Sequence, residues 1–482
     1  MTAVGFRSLR WLTALMVLGI AGCAVNQAKE VAKYRSVIGA DKPIPPFLPG
    51  QPLSLERALE LANYNNERLG LQGEAYLQAL IAKDRAIGNF LPTISMNPSY
   101  SFRQPSEPNT GGPFSSTNAA FTNSISGSEN LFRGFRDINN YRAAGLTADQ
   151  RRALLLDAQA TVLIGVAQVY YQTVLAERSV EVLTNSLAVQ EARVDEAQTR
   201  VKEGLAIALD VYQSEAQAAA TKALLVVAQN SVANGRSTLA FLLAVPVQKS
   251  PFVDDVRIPD LFPSIDALQS QAARSRQDLV AAAAAVEAAK YDVKAAIGEY
   301  YPSVNLNLSY ILSKPEVASG TWWNGVLSAN IPIFSAGQIE ADVRTAWSFL
   351  RSAKLSESQT RRQVVQDVEI AYQNVLTSRE RLPILQVQVA AAAEALRSAE
   401  GLYTAGTGKN IDRLVAQDQL LSAQLQLTSQ QVNHKLFHLE LLRALGTLST
   451  RLPGEPTTQP ATQPATLPTT LPTAPTTLPA VQ

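Results

Sequence analysis

Three sets of side chains in this 482-residue chain have types and spacings that could do chemistry. Cys23 is the only cysteine, so no intrachain disulfide can form and its thiol is open to other modification. His434 and His438 stand four apart, which puts both imidazoles on one helix face where they could share a metal ion. No acid occupies the position a zinc protease needs and the chain has no third histidine, so a solvated helix face is the expectation for this pair. Asp210 and Asp412 each follow a glycine, Gly204 and Gly406, by six residues. Such glycines allow positive φ where one helix ends, and such aspartates can accept amide hydrogen bonds where the next begins. No phosphate-binding glycine loop is present, so no cofactor and no enzymatic activity are expected, and energy for any work must come from a partner.

Cys23 is placed as well as singular. Arg7 and Arg10 precede the apolar run Trp11 to Ile20, then the small residues Ala21 and Gly22, the order of a bacterial secretory signal. The run Ile20-Ala21-Gly22-Cys23 resembles a lipobox, which implies cleavage before Cys23 and acyl chains on that residue. Ala24 rather than an aspartate follows, which in bacterial lipoproteins implies forwarding to the outer membrane, where several acyl chains anchor firmly. Net charge is +1 with 17% charged residues and no basic cluster, which argues against nucleic acid as a partner.

The elements that carry these residues are stated twice. Ile87-Gly88-Asn89-Phe90-Leu91-Pro92 recurs as Ile297-Gly298-Glu299-Tyr300-Tyr301-Pro302, an offset of 210. Phe132 answers Phe334, Gly204 answers Gly406 and Asp210 answers Asp412 at an offset of 202. The expected organisation is a signal at 1–22, a lipidated segment at 23–52, a first half at 53–250, a linker at 251–262, a second half at 263–450 and a tail at 451–482. Strand pairs are expected at 93–128 and 303–334, because the period there changes to two after Pro92 and Pro302. Ile94, Met96, Tyr100 and Phe102 alternate with polar residues, as do Val304, Leu306, Leu308 and Tyr310. The Pro/Thr-rich tail is expected to be disordered and partly polyproline II.

Strands of about ten residues with one apolar face have the length of outer-membrane barrel strands, and Trp322, Trp323 and Tyr310 suit the bilayer interfaces. Four strands cannot close a barrel, since about eight is the practical minimum, and open edges are intolerable in lipid. An oligomer is therefore required, and three copies supply twelve strands. Between the strand pairs, Leu155, Val162, Val166, Val169, Thr173, Ala176, Val180, Leu183, Leu187, Gln190, Val194, Ala197 and Val201 form a coiled-coil seam. A helix from Asp137 to about Glu203 would run roughly 100 Å and must lie against other long helices. Pro383 predicts a break or kink near Ser378 to Pro383 in the second half only. No run beyond the signal reads as a membrane-spanning helix.

From about Leu53 to Gly446 the chain resembles the TolC family of outer-membrane efflux channels, specifically its lipidated members. The resemblance rests on the turn Gly204-Leu205-Ala206-Ile207-Ala208-Leu209-Asp210, its echo Gly406-Thr407-Gly408-Lys409-Asn410-Ile411-Asp412, and Leu131-Phe132-Arg133-Gly134 with Pro332-Ile333-Phe334 after the strands. It implies a mainly helical homotrimer in which twelve strands form a barrel in outer-membrane lipid and long antiparallel helices form a periplasmic α-barrel. It also implies a passive conduit from an inner-membrane pump through a periplasmic adaptor, which meets the turn at Gly204, Leu205, Gly406 and Thr407. By the same resemblance Tyr403 links to Asp210 to hold the tip closed, and three Asp412 carboxylates ring its mouth. The family's arginine at the position of Gly408 and its acid at that of Val415 are absent here, and Lys409 is the available substitute. A protein-secretion duct is an alternative reading, and a lipidated coiled-coil tether to the cell wall is a weaker one that leaves the strands unexplained.

Overall fold

The computed structural model describes residues 25–102, 119–254, 256–259, 262–313 and 321–450. The signal with Cys23, the loop interiors and the Pro/Thr-rich tail lie outside the described residues. Two long helical hairpins dominate. The first is α4 (Arg136–Lys202) with α5 (Ala208–Leu243), and the second is α8 (Gln338–Thr404) with α9 (Asn410–Ala444). Helices α4 and α8 are both 67 residues long, about 100 Å at 1.5 Å per residue. Every seam residue expected on α4 is at least partly buried, which is why so long a helix is stable: its stripe packs on α5, α9 and the shorter helices.

Each long hairpin is preceded by a broken helix. In the first half α2 (Leu55–Asn65) gives way to α3 (Glu67–Gly88) at Asn66, and in the second α6 (Ile265–Ser275) gives way to α7 (Gln277–Ile297) at Arg276. Both break residues are extended, with ψ of 120° and 121°. The breaks place donors against carbonyls left over at helix ends. Asn65 and Asn66 donate to Leu243 and Leu242 at 3.0 and 3.2 Å, while Ser275 and Arg276 donate to Leu445 and Ala444.

The main core lies midway along α4. Tyr170, Tyr171, Leu163 and Val166 meet Leu55, Leu59, Leu239 and Leu439 there. The short parallel strands β1 (Leu53–Ser54) and β4 (Phe252–Val253) close it, held by the Tyr170 hydroxyl at 2.9 Å from the Leu53 carbonyl and 2.7 Å from that of Val253. One window of α4 is apolar enough to cross a bilayer, against expectation, and close to half of it is buried inside the protein, as a core helix requires. The amino-terminal helix α1 (Gln27–Val37) packs Tyr34 onto Gly73 of α3. Asn63 and Gln159 then both donate to the Ile38 carbonyl, at 2.9 and 2.8 Å.

The strands form one four-stranded sheet in the order β2 (Thr93–Phe102), β3 (Ala119–Arg133), β5 (Ser303–Ser313), β6 (Trp323–Asn330). Met96, Ile125 and Tyr310 face one another across three strands, and Tyr310 also faces Trp323, on a surface exposed to the outside. The other surface is polar, with Ser95 and Ser126 hydroxyls 2.8 Å apart and Asn97 donating to Ser126 at 2.9 Å. The sheet is not closed within the protomer. The second strand pair ends at Asn330 and not at Phe334 as expected, whereas β3 runs on to Arg133. The end of β3 finds a partner in β5, and the corresponding edge of β6 has none among the described residues.

Of the break or kink expected near Pro383, no break occurs, since α8 is continuous from Gln338 to Thr404. Pro383 and Arg379, whose carbonyl loses its helical donor, are both exposed, so water can satisfy that carbonyl. One turn earlier the helix is pinned, because Gln430 donates to the Ser378 carbonyl at 3.3 Å and the Ser378 hydroxyl donates to Val375 at 2.8 Å.

Candidate functional site

The two hairpin turns lie side by side and enclose a cleft of about 400 Å³. Gly204 and Gly406 take left-handed φ of 75° and 78°. Each lets the next amide reach back five residues, Leu205 to the Arg200 carbonyl at 2.8 Å and Thr407 to that of Leu402 at 3.0 Å. Leu205, Ile207 and Leu209 are exposed around the first turn. Arg200, Tyr403, Asp210, Gly406 and Lys409 share the cleft wall.

The two aspartates differ in capping. Asp210 accepts from the Ile207 amide at 3.5 Å, a long capping bond at the start of α5. Asp412 is exposed in the first turn of α9, and no side chain caps that helix. Its carboxylate has no partner among the described residues, so capping, expected of both, holds for Asp210 alone.

The expected link from Tyr403 to Asp210 is not formed in the protomer. The Tyr403 hydroxyl is buried with no hydrogen-bond partner among the described residues. Its ring meets two guanidiniums instead, Arg413 at 4.2 Å and Arg200 at 4.5 Å from the centroid. Two guanidiniums this close hold the ring by cation–π attraction while Asp210 is occupied with its own helix.

Arg413, 4% exposed, is one of the residues that join the hairpins. It donates to Glu196 of α4 at 2.7 Å and to the Asn410 side chain at 3.1 Å, and Asn410 donates to the Asp210 carbonyl at 3.1 Å. Arg193 pairs with Glu400 beside it. Burial, aided by the neighbouring Arg413, pushes the Arg193 guanidinium below its ordinary value in spite of the Glu400 charge. Three arginines thus face two glutamates, Glu196 and Glu400. Sequence reading missed this cluster, although one signal was present: an arginine in the first turn of a helix opposes the macrodipole and needs a partner elsewhere.

Among the described residues no group of side chains could hold a metal ion. The histidine pair is also not on a solvated face. His438 is buried against Phe262, and His434 Nδ1 lies 2.6 Å from the Ser378 hydroxyl, because α9 is packed by α8 and α4 at once.

Long paired helices, tip turns and an apolar-faced sheet are the architecture of a membrane conduit. The family model described as outer membrane efflux protein matches residues 73–245 and 268–447. The chain belongs to this family. Outer membrane protein TolC of Escherichia coli (strain K12) is 25% identical over 385 residues, 74% of this chain and 75% of the relative. The probable outer membrane lipoprotein SilC of Salmonella typhimurium is 24% identical over 321 residues, 64% of this chain and 67% of the relative. Among solved structures, the outer membrane protein VceC of Vibrio cholerae superposes with a TM-score of 0.73 at 21% identity, covering 81% of this chain and 96% of that one. This outer membrane efflux protein is therefore a channel of the outer membrane, mainly helical, with the paired turns at the end of its helices.

Proposed function

We propose that three copies of this efflux protein close a twelve-stranded barrel in the outer membrane and a helical tunnel beneath it. Through this duct substrates pass without expenditure of energy by the channel itself. The observation that carries the reading is the open four-stranded sheet, apolar on one face, with edges at β2 and β6 that no strand pairs among the described residues. Such edges are tolerable in lipid only when a neighbour pairs them. The two halves are read as copies of one unit, supported by equal 67-residue helices and equivalent carbonyl caps at Asn66 and Arg276.

In the trimer Asp412 would ring the mouth with negative charge, and the Tyr403 ring would hold the tip narrow. The exposed turn at Gly204, Leu205, Gly406 and Thr407 would receive a periplasmic adaptor, which connects to an inner-membrane pump. Cys23 is the site of lipid attachment, a reading that accords with the lipoprotein named among the relatives. Native mass measurement and planar-bilayer conductance of the purified protein test the channel reading. A trimer with steady single-channel currents is expected, and a stable monomer that retains its strands overturns it. Mass spectrometry should find an acylated amino-terminal Cys23 and no signal, and a retained signal with a free thiol refutes the anchor.

A further inference from the structure

The internal pairing of the sheet specifies how one protomer meets the next. The two hairpins have the same register once the offsets of 210 and 202 are applied. Thr93 faces Ser128 as Ser303 faces Asn330, Met96 faces Ile125 as Leu306 faces Leu327, and Tyr100 faces Phe121 as Tyr310 faces Trp323. The seam between the hairpins joins the second strand of one half to the first strand of the other, β3 to β5. Closing a barrel from such units repeats that seam between β6 and the β2 strand of a neighbour.

The equivalence breaks in one place. Past Ser128, β3 continues to Arg133, with Phe132 opposite Val304 and a register shift around Leu131. The corresponding residues after Asn330 form no strand, and their side chains stand in the open, with Ile333 95% and Phe334 88% exposed. Apolar side chains so exposed beside an unpaired edge mark a missing partner.

We propose that Ile331 to Ser335 becomes the end of β6 in the assembled channel, pairing antiparallel with Thr93 to Met96 of the neighbouring protomer. This rests on the trimer reading above and adds its contact register. Transferring the internal seam puts Leu327 opposite Tyr100, as Ile125 is opposite Tyr310, and Asn330 opposite Asn97, as Ser128 is opposite Asn307. Phe334 then lies opposite Ile94, and the irregularity at Leu131 recurs at Ile333. The apolar row Met96, Ile125, Tyr310 acquires its equivalent in Leu306, Leu327 and the neighbour's Tyr100. Pro98 and Pro332 both fall on this seam, whereas β3 and β5 contain no proline. Opposed pairs along an antiparallel seam alternate between bonded and non-bonded, and the two prolines fall three pairs apart, so one of them removes a donor from the seam between protomers, which has one rung fewer than the internal one and lone edges that are poor templates for indiscriminate pairing.

Paired cysteines in the otherwise native chain test the register. Residues opposite each other in a sheet lie within disulfide reach, whereas Leu327 and Tyr100 of one protomer are separated by three strand spacings, about 14 Å across the strands alone, and cannot bridge. Oxidation of the chain carrying Leu327→Cys and Tyr100→Cys should convert most of it to covalent dimers and trimers, and each single variant should give none. Asn330→Cys with Asn97→Cys repeats the test on the polar face, where packing is least disturbed. Phe334→Cys with Ile94→Cys should cross-link likewise, showing that the strand extends. A trimer by native mass that cross-links only with partners shifted along β2, or that bridges 327 to 100 but never 334 to 94, overturns the proposal while leaving the trimer standing. A monomer by native mass overturns both.

Discussion

Arg413 of α9 and Glu196 of α4 form a 2.7 Å ion pair that ties the second hairpin to the first at the level of Tyr403. The arginine is buried and the glutamate is partly open, so the two ends of the bond differ in what their loss costs. Breaking a fully dry pair costs about 3–5 kcal/mol, and solvent access at Glu196 lowers the expectation for Arg413→Ala to roughly 2 kcal/mol. The hairpin tips should loosen, seen as higher single-channel conductance and a lower melting temperature. Glu196→Gln keeps a hydrogen-bond acceptor and should show a smaller change in both.

Tyr403 separates the role of a ring from that of a hydroxyl. Because the hydroxyl is buried without a partner, Tyr403→Phe should leave conductance unchanged and raise stability by about 1 kcal/mol. Tyr403→Ala removes the surface on which Arg200 and Arg413 rest and should raise conductance, with a stability loss of about 3 kcal/mol. If Phe opens the channel as much as Ala, the hydroxyl has a partner in the neighbouring protomer.

Asp412→Asn should lower the preference for cations over anions, measured as reversal potential in a salt gradient, without changing the melting temperature. No cap is lost, since the carboxylate caps nothing. An unaltered reversal potential would place the charge away from the ion path.

Burial, with the charge of His434 beside it, depresses the His438 imidazole to about 4. A depressed base contributes stability that is complete above its unfolded value near 6.5 and is lost as pH falls toward 4, because the unfolded chain takes up the proton first. Thermal stability should therefore drop between pH 6.5 and 4, and His438→Leu should flatten that part of the profile. Arg379 and Lys435 face His434 and keep the local charge positive, which works in the same direction.

Pro383→Ala restores a backbone donor in a helix that is already continuous and should raise the melting temperature, by up to about 3 kcal/mol of regained helix stability offset in part by unfolded-chain entropy. A fall in stability would show that the proline shapes α8 in a way the exposed carbonyl does not reveal.

Much of this was legible in the chain. Period-two alternation after Pro92 and Pro302 located the strands, and the stepped apolar seam from Leu155 to Val201 located α4 almost to the residue. Local pattern carries that information because each strand or stripe buries one face. What escaped depended on neighbours far away in sequence. Whether Pro383 breaks a helix turns on which way one carbonyl faces, and whether His438 is wet turns on α8 and α4 packing on either side of it. The ring of Tyr403 meets arginines 203 positions upstream and ten downstream, and no window on the sequence shows both at once.

The equal length of α4 and α8 limits how such a chain can vary over time. Each residue added to one helix lowers its turn by about 1.5 Å and rotates it by about 100°, so a single insertion would leave alternate turns at two depths and face their side chains the wrong way. Substitution is cheaper, as Asn66 at one helix break and Arg276 at the other, both donating to helix-end carbonyls, illustrate. Gaps are not: lengthening or shortening is compatible with a level rim only when it occurs in both halves together and in whole heptads.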